Sequence, residues 1–242
     1  MQQLFRSTPG RVGLGISGAV LLSLVAVVAI YVFGPGPTGR SGGSGATNTP
    51  AAAPTLAATK DSTLFTLDST ASEASFTIDE MLFGQPNTVV GKTNQVTGQI
   101  LINTTDPSQS QLGQIRVDVS TLVTDNSLRN HTLQNRILET SDPANQFATF
   151  VAKSLAGLPN TTAGHSFGDS VSFQTTGDLT IHQVTRAVTF DVKMTAQSAT
   201  HITGHAQATV RYSDFDIAIP DVPSVSGVSD NVVLALDFTA HT

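Results

Sequence analysis

The sequence of 242 residues predicts an antiparallel all-β domain over residues 61–242, preceded by one membrane-spanning helix. Three observations support this fold class. Apolar and polar residues alternate with a period of two through most of the domain, and turn residues separate the alternating runs. No segment of the domain has a helical pattern long enough to connect two parallel strands. Such alternation leaves one face of each strand in water, which favours antiparallel pairing.

The segment from residue 12 to residue 33 has no charged residue and predicts the membrane-spanning helix. At about 1.5 Å per residue it reaches about 33 Å, enough for a hydrocarbon core of about 30 Å. Arg6 and Arg11 lie in residues 1–11, which the positive-inside rule assigns to the cytoplasm. We therefore expect a single-pass protein of the cell membrane with its C-terminal domain outside the cytoplasm. A cleaved signal peptide is the alternative, although its apolar stretch is usually only about 7–15 residues.

Residues 34–60 predict a flexible tether, because 23 of the 27 are Gly, Pro, Ser, Thr or Ala. The charge changes at the end of this segment. Residues 1–60 carry four basic residues and no acid, whereas residues 61–242 carry eight basic residues and eighteen acids, a net charge of −10. An acidic domain argues against a nucleic-acid partner. The absence of cysteine excludes disulfide scaffolds, thiolate metal sites and cysteine nucleophiles.

The domain contains eight or nine alternating runs, consistent with either a sandwich or a closed barrel. Residues 105–108 and 158–160 are typical turns between runs. Residues 127–138 alone have a helical pattern, with Asp125 or Asn126 as the candidate N-cap. The alternating apolar positions are Phe76 and Ile78; Ile100 and Ile102; Ile115, Val117 and Val119; Val171 and Phe173; Leu179 and Ile181; Val188, Phe190, Val192 and Met194; and Val232, Leu234, Leu236 and Phe238.

The run from residue 201 to residue 212 bears on the choice between sandwich and barrel. Its apolar face includes Gly204, Ala206 and Ala208, whereas His201 and His205 lie on the other face. Small residues on an inner face either leave room for a ligand, as in a barrel, or are filled by large neighbours in a solid core. The run by itself leaves both interpretations open.

The succession from Leu67 to Ala240 resembles a YceI-type domain, from the polyisoprenoid-binding family of lipocalin-like barrels. The order and spacing of short motifs carry the resemblance. Gln183 and Asp216 depart from it, because the family usually has Gly at both positions. The matching stretches are residues 68–76, 90–91, 96–98, 116–122, 129–131, 137–140, 147–150, 177–188, 211–217 and 228–236.

The resemblance implies an eight-stranded antiparallel lipocalin-like β-barrel with one short helix and a long apolar ligand inside. An isoprenoid or another long-chain lipid is the expected ligand, with no further cofactor. A solidly packed interaction or structural module without a ligand is the alternative. The apolar residues expected to line the ligand are Phe76, Ile78, Ile100, Ile102, Val117, Val119, Phe150, Phe173, Val188, Phe190, Val192, Ile202, Ala206, Val210, Leu234 and Leu236.

The polar residues of the domain predict neither catalysis nor a metal site. His201 and His205 are four residues apart, which in a strand separates them by about 13 Å, too far to share one ion. Asp214 and Asp216 would lie about 6.6–7 Å apart in an extended strand, as an inverting glycosidase requires. Exposed aspartates at a strand end are far commoner than such a pair, and Asp214 has Arg211 as a candidate partner. His182 is expected to support a turn.

Overall fold

The computed structural model describes residues 56–242, and the thirteen strands of this region belong to one sheet in which every pairing is antiparallel. The predicted all-β class, antiparallel pairing and single short helix are therefore confirmed for the described residues. The predicted count of eight strands is not confirmed, because short interruptions at residues 68–72, 94–95, 98 and 113–114 divide the chain into shorter segments. The predicted membrane-spanning helix and most of the tether lie outside the described residues. Within residues 56–242, no helix combines the length and the apolar character that crossing a membrane requires.

The strands are β1 (Ser62–Leu67), β2 (Glu73–Leu82), β3 (Gln85–Thr93), β4 (Val96–Thr97), β5 (Gln99–Asn103), β6 (Gln111–Leu112), β7 (Ile115–Asp118), β8 (Phe147–Ala156), β9 (Ser170–Ile181), β10 (Val184–Ser198), β11 (His201–Arg211), β12 (Val225–Ser226) and β13 (Asn231–His241). Their order in the sheet is β4-β7-β8-β9-β10-β11-β13-β1-β5-β6. Strand β2 pairs with β13, β3 and β12.

The sheet is curled, and Gly98 lies where the two ends of its hydrogen-bonded path come together. Strand β4 begins the path and β5 lies near its end, yet Gly98 is the only residue between them. The carbonyl oxygen of Gly98 accepts a hydrogen bond of 3.0 Å from the backbone nitrogen of Leu67, which belongs to β1. The segment of residues 96–103 therefore contacts strands from both directions along the path.

The register of the central strands separates apolar from polar side chains. Val192 in β10 is paired with Phe173 in β9 and with Ala206 in β11, and Ala206 is paired with Leu236 in β13. Residues in register project from the same face of a sheet, so these side chains form an apolar row across four strands. The next row, which includes His205, projects from the other face and is polar.

Three apolar clusters line the concave face of the sheet. The first is built on Phe65, Leu67, Ala74, Val96, Val192, Ile202, Phe238 and Ala240. The second is built on Val119, Leu122, Leu133 and Leu138, and the third on Phe150, Leu179 and Phe215. Phe190 packs against both the first and the third cluster, and Val117 packs against both the first and the second. The clusters therefore form one continuous interior.

The one α-helix of the described residues, α1 (Ser127–Thr132), begins at the predicted cap. The side chain of Asn126 accepts hydrogen bonds from the backbone nitrogens of Leu128 and Arg129. The chain continues beyond α1 as a wider π-type turn, Leu133–Ile137, so the predicted helix over 127–138 is regular only in its first half. Leu133 and Leu138 are buried and cover one end of the interior.

Val119 lies just outside the strand in which the alternation placed it. Strand β7 ends at Asp118, whose side chain accepts a hydrogen bond from the backbone nitrogen of Ser120 and caps a short 3₁₀ turn. A capping carboxylate of this kind favours a turn over continued strand pairing. Val119 is nevertheless buried, in the second cluster.

The curled sheet has two ends, which we call the α1 end and the His241 end. Antiparallel pairing puts strand ends that share a register at the same end of the sheet. The α1 end holds α1 and the connections at 83–84, 182–183 and 212–217. The His241 end holds the connections at 104–110, 157–169 and 199–200, together with residues 56–61.

Two glycines on the inner face lie beneath aromatic rings of neighbouring strands. A Cβ atom added at Gly91 would be 2.1 Å from the Phe76 ring, and one added at Gly204 would be 2.4 Å from the Phe238 ring. Each glycine is paired directly with the residue whose ring covers it. The space left by Gly204 is therefore filled by protein, as the packed interpretation of that strand requires.

We predict that Gly91→Ala destabilises the fold by about 2 kcal/mol, because the new methyl group overlaps the Phe76 ring. The three nearest atoms all belong to that ring, so a smaller residue at position 76 removes the clash. In urea unfolding, the double variant Gly91→Ala, Phe76→Leu should lose less stability than the two single variants added together. Strict additivity would show that the ring does not lie over Gly91.

Candidate ligand-binding site

The sixteen predicted lining residues project into the curled sheet, and most of them are incompletely covered by protein. Val119, Phe150, Val192 and Ile202 are buried, whereas the other twelve are only half-buried. A solid core is packed at the density of an organic crystal and leaves little accessible surface. Inward-facing apolar side chains that keep accessible surface are typical of an interior with room for a ligand.

The three apolar clusters include fifteen of these sixteen residues. The exception is Ile78, which belongs to none of them. Ala206 is the smallest of the predicted residues, and it is half-buried between Val192 and Leu236. Both of its cross-strand partners are aliphatic, whereas Gly204 lies under the aromatic ring of Phe238.

Sequence reasoning missed several interior residues, among them Phe65 and Leu67 in β1 and, in irregular segments, Leu122, Phe215 and Ile217. Phe215 is 1% exposed and packs with Phe150 and Leu179, although it lies in a 3₁₀ turn after β11. Ile217 packs against both the second and the third cluster. A period of two cannot identify inward-facing residues in turns. The aromatic residue between two aspartates was the only local signal that could have found Phe215.

Thr175 places a polar atom inside this apolar surface. It is paired with Phe190 and is 3% exposed. Its Oγ1 is buried without a hydrogen-bond partner. A buried hydroxyl without a partner costs free energy, and a polar atom of a bound ligand would offset that cost.

A polar network fastens α1 to the β2–β3 hairpin at the α1 end. Glu80 lies on the inward-facing side of β2, and its side chain is only 9% exposed. Its Oε1 accepts hydrogen bonds of 2.8 Å from Asn87 Nδ2 and 3.4 Å from Arg129 Nη2. Arg129, which belongs to α1, also donates to Asp125. Any ligand entering at this end must pass this network or displace α1.

The carboxylates of Asp214 and Asp216 do not form the paired arrangement of an extended strand. Tyr212–Phe215 is a 3₁₀ turn, and Asp216 ends it with a left-handed φ of 53°. Asp214 instead accepts hydrogen bonds of 2.8 Å and 3.1 Å from Arg211, which confirms the predicted pair. These bonds raise the pKa of Arg211, so the guanidinium stays charged.

The two positions where the sequence departs from the expected glycines both have left-handed backbone. Asp216 has a φ of 53° and Gln183 a φ of 64°. Glycine adopts such angles without a steric cost, which accounts for its usual presence there. Gln183 also donates a hydrogen bond of 2.9 Å from Nε2 to Oδ1 of buried Asn145. His182, the first residue of the same turn, has a φ of 50°. Its buried Nε2 makes no hydrogen bond but lies 3.5 Å from Glu139 Oε2.

The two histidines of β11 have different partners. His201 stacks on His241 with ring centroids 4.5 Å apart, whereas His205 Nδ1 is 2.7 Å from Asp237 Oδ1. The described part of the chain contains no group of three or more His, Cys, Asp or Glu side chains arranged to hold a metal ion. The Asp237 hydrogen bond raises the pKa of His205 above its ordinary value of 6.5, and partial burial opposes the shift.

Comparison with known proteins identifies similar sequences and folds. The family model described as "YceI-like domain" matches residues 65–240. A polyisoprenoid-binding domain from Saccharophagus degradans, described as implicated in plant cell wall breakdown, aligns with 18% identity and a TM-score of 0.57, over 74% of this chain and 98% of that chain. BcnA from Burkholderia cenocepacia aligns with 19% identity and a TM-score of 0.54, over 72% of this chain and 98% of that chain. At these identities the two structures establish a shared fold. No curated protein sequence matches the chain.

We predict that the His205–Asp237 pair makes stability dependent on pH. Because the folded-state pKa is raised above 6.5, the contribution is complete below pH 6.5 and is lost as the pH rises through the folded-state value. The free energy of unfolding of wild type should exceed that of His205→Gln by no more than about 1 kcal/mol, since the pair is largely exposed. The difference should shrink as the pH rises above 6.5.

Asp237→Asn is the matched variant, because it removes the same pair from the other side. Urea unfolding across this pH range should give it a similar profile, and the double variant should add little. Two independent, additive profiles would contradict the pairing.

Proposed function

This chain belongs to the YceI-like domain family, and we propose that its domain binds a polyisoprenoid or a similar long-chain lipid within the curled sheet. The observation that carries the proposal is the inward-facing apolar surface, of which Phe190, Ala206 and Leu236 are half-buried members. The S. degradans relative, a polyisoprenoid-binding domain, supports the choice of ligand class.

We further propose that the curled sheet is a closed barrel of eight strands. Several of the thirteen segments are consecutive parts of longer stretches, interrupted by turns or single residues. Each stretch is hydrogen-bonded to the stretch before it and to the stretch after it in the chain. The last stretch, β13, is hydrogen-bonded to the first through both β1 and β2, which closes the circle. The eight stretches are residues 62–82, 85–103, 111–118, 147–156, 170–181, 184–198, 201–211 and 231–241.

Burial of the ligand chain provides the affinity. Each CH₂ group that moves from water to the apolar interior contributes about 0.8 kcal/mol. Few polar groups converge inside, so selectivity is for the length and shape of the chain. A polar atom along the ligand could accept from the unpartnered Thr175 hydroxyl. This chemistry makes the domain a binding protein and requires no catalytic residue.

The N-terminal segment extends the proposal to the membrane. Residues 12–33 are uncharged and long enough to span a bilayer, and Arg6 and Arg11 precede them. We place the protein in the cell membrane as a single-pass protein, with the β-domain outside the cytoplasm. In this position the domain can carry or sequester a lipid beside the bilayer that supplies it.

We predict that Ala206→Leu weakens the binding of prenyl alcohols to the full chain by roughly 15- to 50-fold. The larger side chain displaces two or three carbon groups of the ligand, worth about 0.8 kcal/mol each, and 1.4 kcal/mol is a factor of ten. Native mass spectrometry of the detergent-solubilised chain with prenyl alcohols of increasing length measures the effect. Affinity of the wild type should rise with length until the interior is full.

Gln207→Leu is the matched control, because residue 207 is the outward-facing neighbour and is exposed. It should bind as the wild type does. In a solidly packed module without a ligand, none of the proteins would bind. Ala206→Leu would then cost about 1–3 kcal/mol of stability through overpacking. That combination would reject the proposed function in favour of an interaction or structural module.

A further inference from the structure

Phe167 is the most exposed of the large apolar side chains in the described residues, at 65%. It lies in the connection 157–169, which joins β8 to β9 at the His241 end. Residues 154–168 contain no Asp, Glu, Lys or Arg. A single exposed apolar side chain is common on protein surfaces, so it is the position of Phe167, and not its exposure alone, that bears on function.

Hydrogen bonds on both sides of Phe167 fix its position. The backbone nitrogen of Gly168 donates to the carbonyl oxygen of Ala196, at 2.9 Å, and so attaches the segment to β10. The backbone nitrogen of Ser166 donates to Asp169 Oδ2 at 2.8 Å. The ring is therefore held outward by a supported turn.

The same end of the sheet receives the chain from the N-terminal segment. Thr162 Oγ1 donates to the carbonyl oxygen of Thr104 at 3.3 Å. The backbone nitrogen of Thr104 in turn donates to the carbonyl oxygen of Asp61 at 2.9 Å. Leu56, the first described residue, is buried at this end, where its Cδ1 would be 3.3 Å from a Cβ added at Gly113. The Phe167 connection and the entry of the tether are thus adjacent.

We propose that the 157–169 connection inserts Phe167 into the outer surface of the bilayer that anchors the chain. This inference rests on the proposed membrane anchor at residues 12–33. A Gly-rich chain of 22 residues, the length of the segment from 34 to 55, has an expected root-mean-square span of about 26 Å. Such a tether keeps the domain within reach of the bilayer without fixing its orientation, and Phe167 supplies the second contact.

The α1 end exposes apolar side chains too, namely Phe83 at 57%, Val123 at 55% and Leu128 at 39%. It lies away from residues 56–61, where the chain enters the domain, and it also exposes Asp79, Asp125 and Asp216. Lipid phosphates repel carboxylates, and inserting a charged surface into the headgroup region is costly. The His241 end also carries acidic residues, at Asp61, Asp106 and Asp169. Insertion there would therefore be driven by the apolar ring of Phe167 and would need no anionic lipid.

The absence of tryptophan from the sequence allows a direct test. Phe167→Trp and Phe83→Trp each introduce one fluorophore into the full chain, at exposed positions of opposite ends. Each variant is reconstituted into phosphatidylcholine nanodiscs whose acyl chains are brominated close to the headgroup. Emission from Phe167→Trp should fall by about half or more, because an inserted side chain lies about 5–10 Å into the boundary of headgroups and acyl chains. Emission from Phe83→Trp should be unchanged, and added salt should not restore the Phe167→Trp signal.

The outcomes separate this proposal from the one on which it rests. Equal quenching of both variants, quenching of Phe83→Trp alone, or no quenching would overturn docking through Phe167. Flotation of the chain with phosphatidylcholine vesicles tests the anchor independently. A chain that does not float overturns both proposals. A chain that floats, binds prenyl alcohols and leaves Phe167→Trp unquenched overturns only the docking surface.

Discussion

The structure depends on covering one continuous apolar face of a single sheet. The strands are in register so that Phe173, Val192, Ala206 and Leu236 project to the same side, and the described residues provide no second sheet to cover them. A sheet with one apolar face must bury it against another layer or against itself. This sheet buries its apolar face against itself by curling, so that strands distant along the hydrogen-bonded path meet at Gly98. The second cluster closes one end through Leu133, and the first cluster fills the interior near the His241 end.

Local periodicity made much of this architecture predictable. The period of two depends only on adjacent residues, so the long strands β9, β10, β11 and β13 agree with their alternating runs. The cap at Asn126 was predictable for the same reason, since capping depends on residues within one turn. The prediction was wrong where side chains redirect the backbone. Asp118 caps a 3₁₀ turn, so β7 ends there and Val119 lies outside the strand in which the alternation placed it. The number of strand segments depends on short interruptions, such as the one at Gly98, that alternation does not encode.

The sequence predicted which side chains face the interior, but it did not predict how much space they leave for a ligand. A pattern of alternating residues gives the direction of each side chain, and fifteen of the sixteen predicted residues belong to the interior clusters. Whether a small residue leaves space depends on its cross-strand neighbour, which only the register reveals. Gly204 lies under the Phe238 ring, whereas Ala206 is paired with Val192 and Leu236 and remains half-buried. The interior is therefore tightly packed at some cross-strand pairs, such as Gly204 and Phe238, and less completely filled at others, such as Ala206 and Leu236. The outer face of the sheet is polar and carries exposed ion pairs such as His205–Asp237.

The central claim is that the interior holds a long apolar chain, and the most direct measurement is the mass of what the protein carries. The full chain, extracted from the membranes of its expression host in a mild detergent and examined by native mass spectrometry, should carry an additional mass. That mass should be released on unfolding and should be identified by fragmentation as an isoprenoid or another long-chain lipid. A wild-type chain that repeatedly shows only its own mass, and that takes up no added prenyl alcohol, would contradict the account.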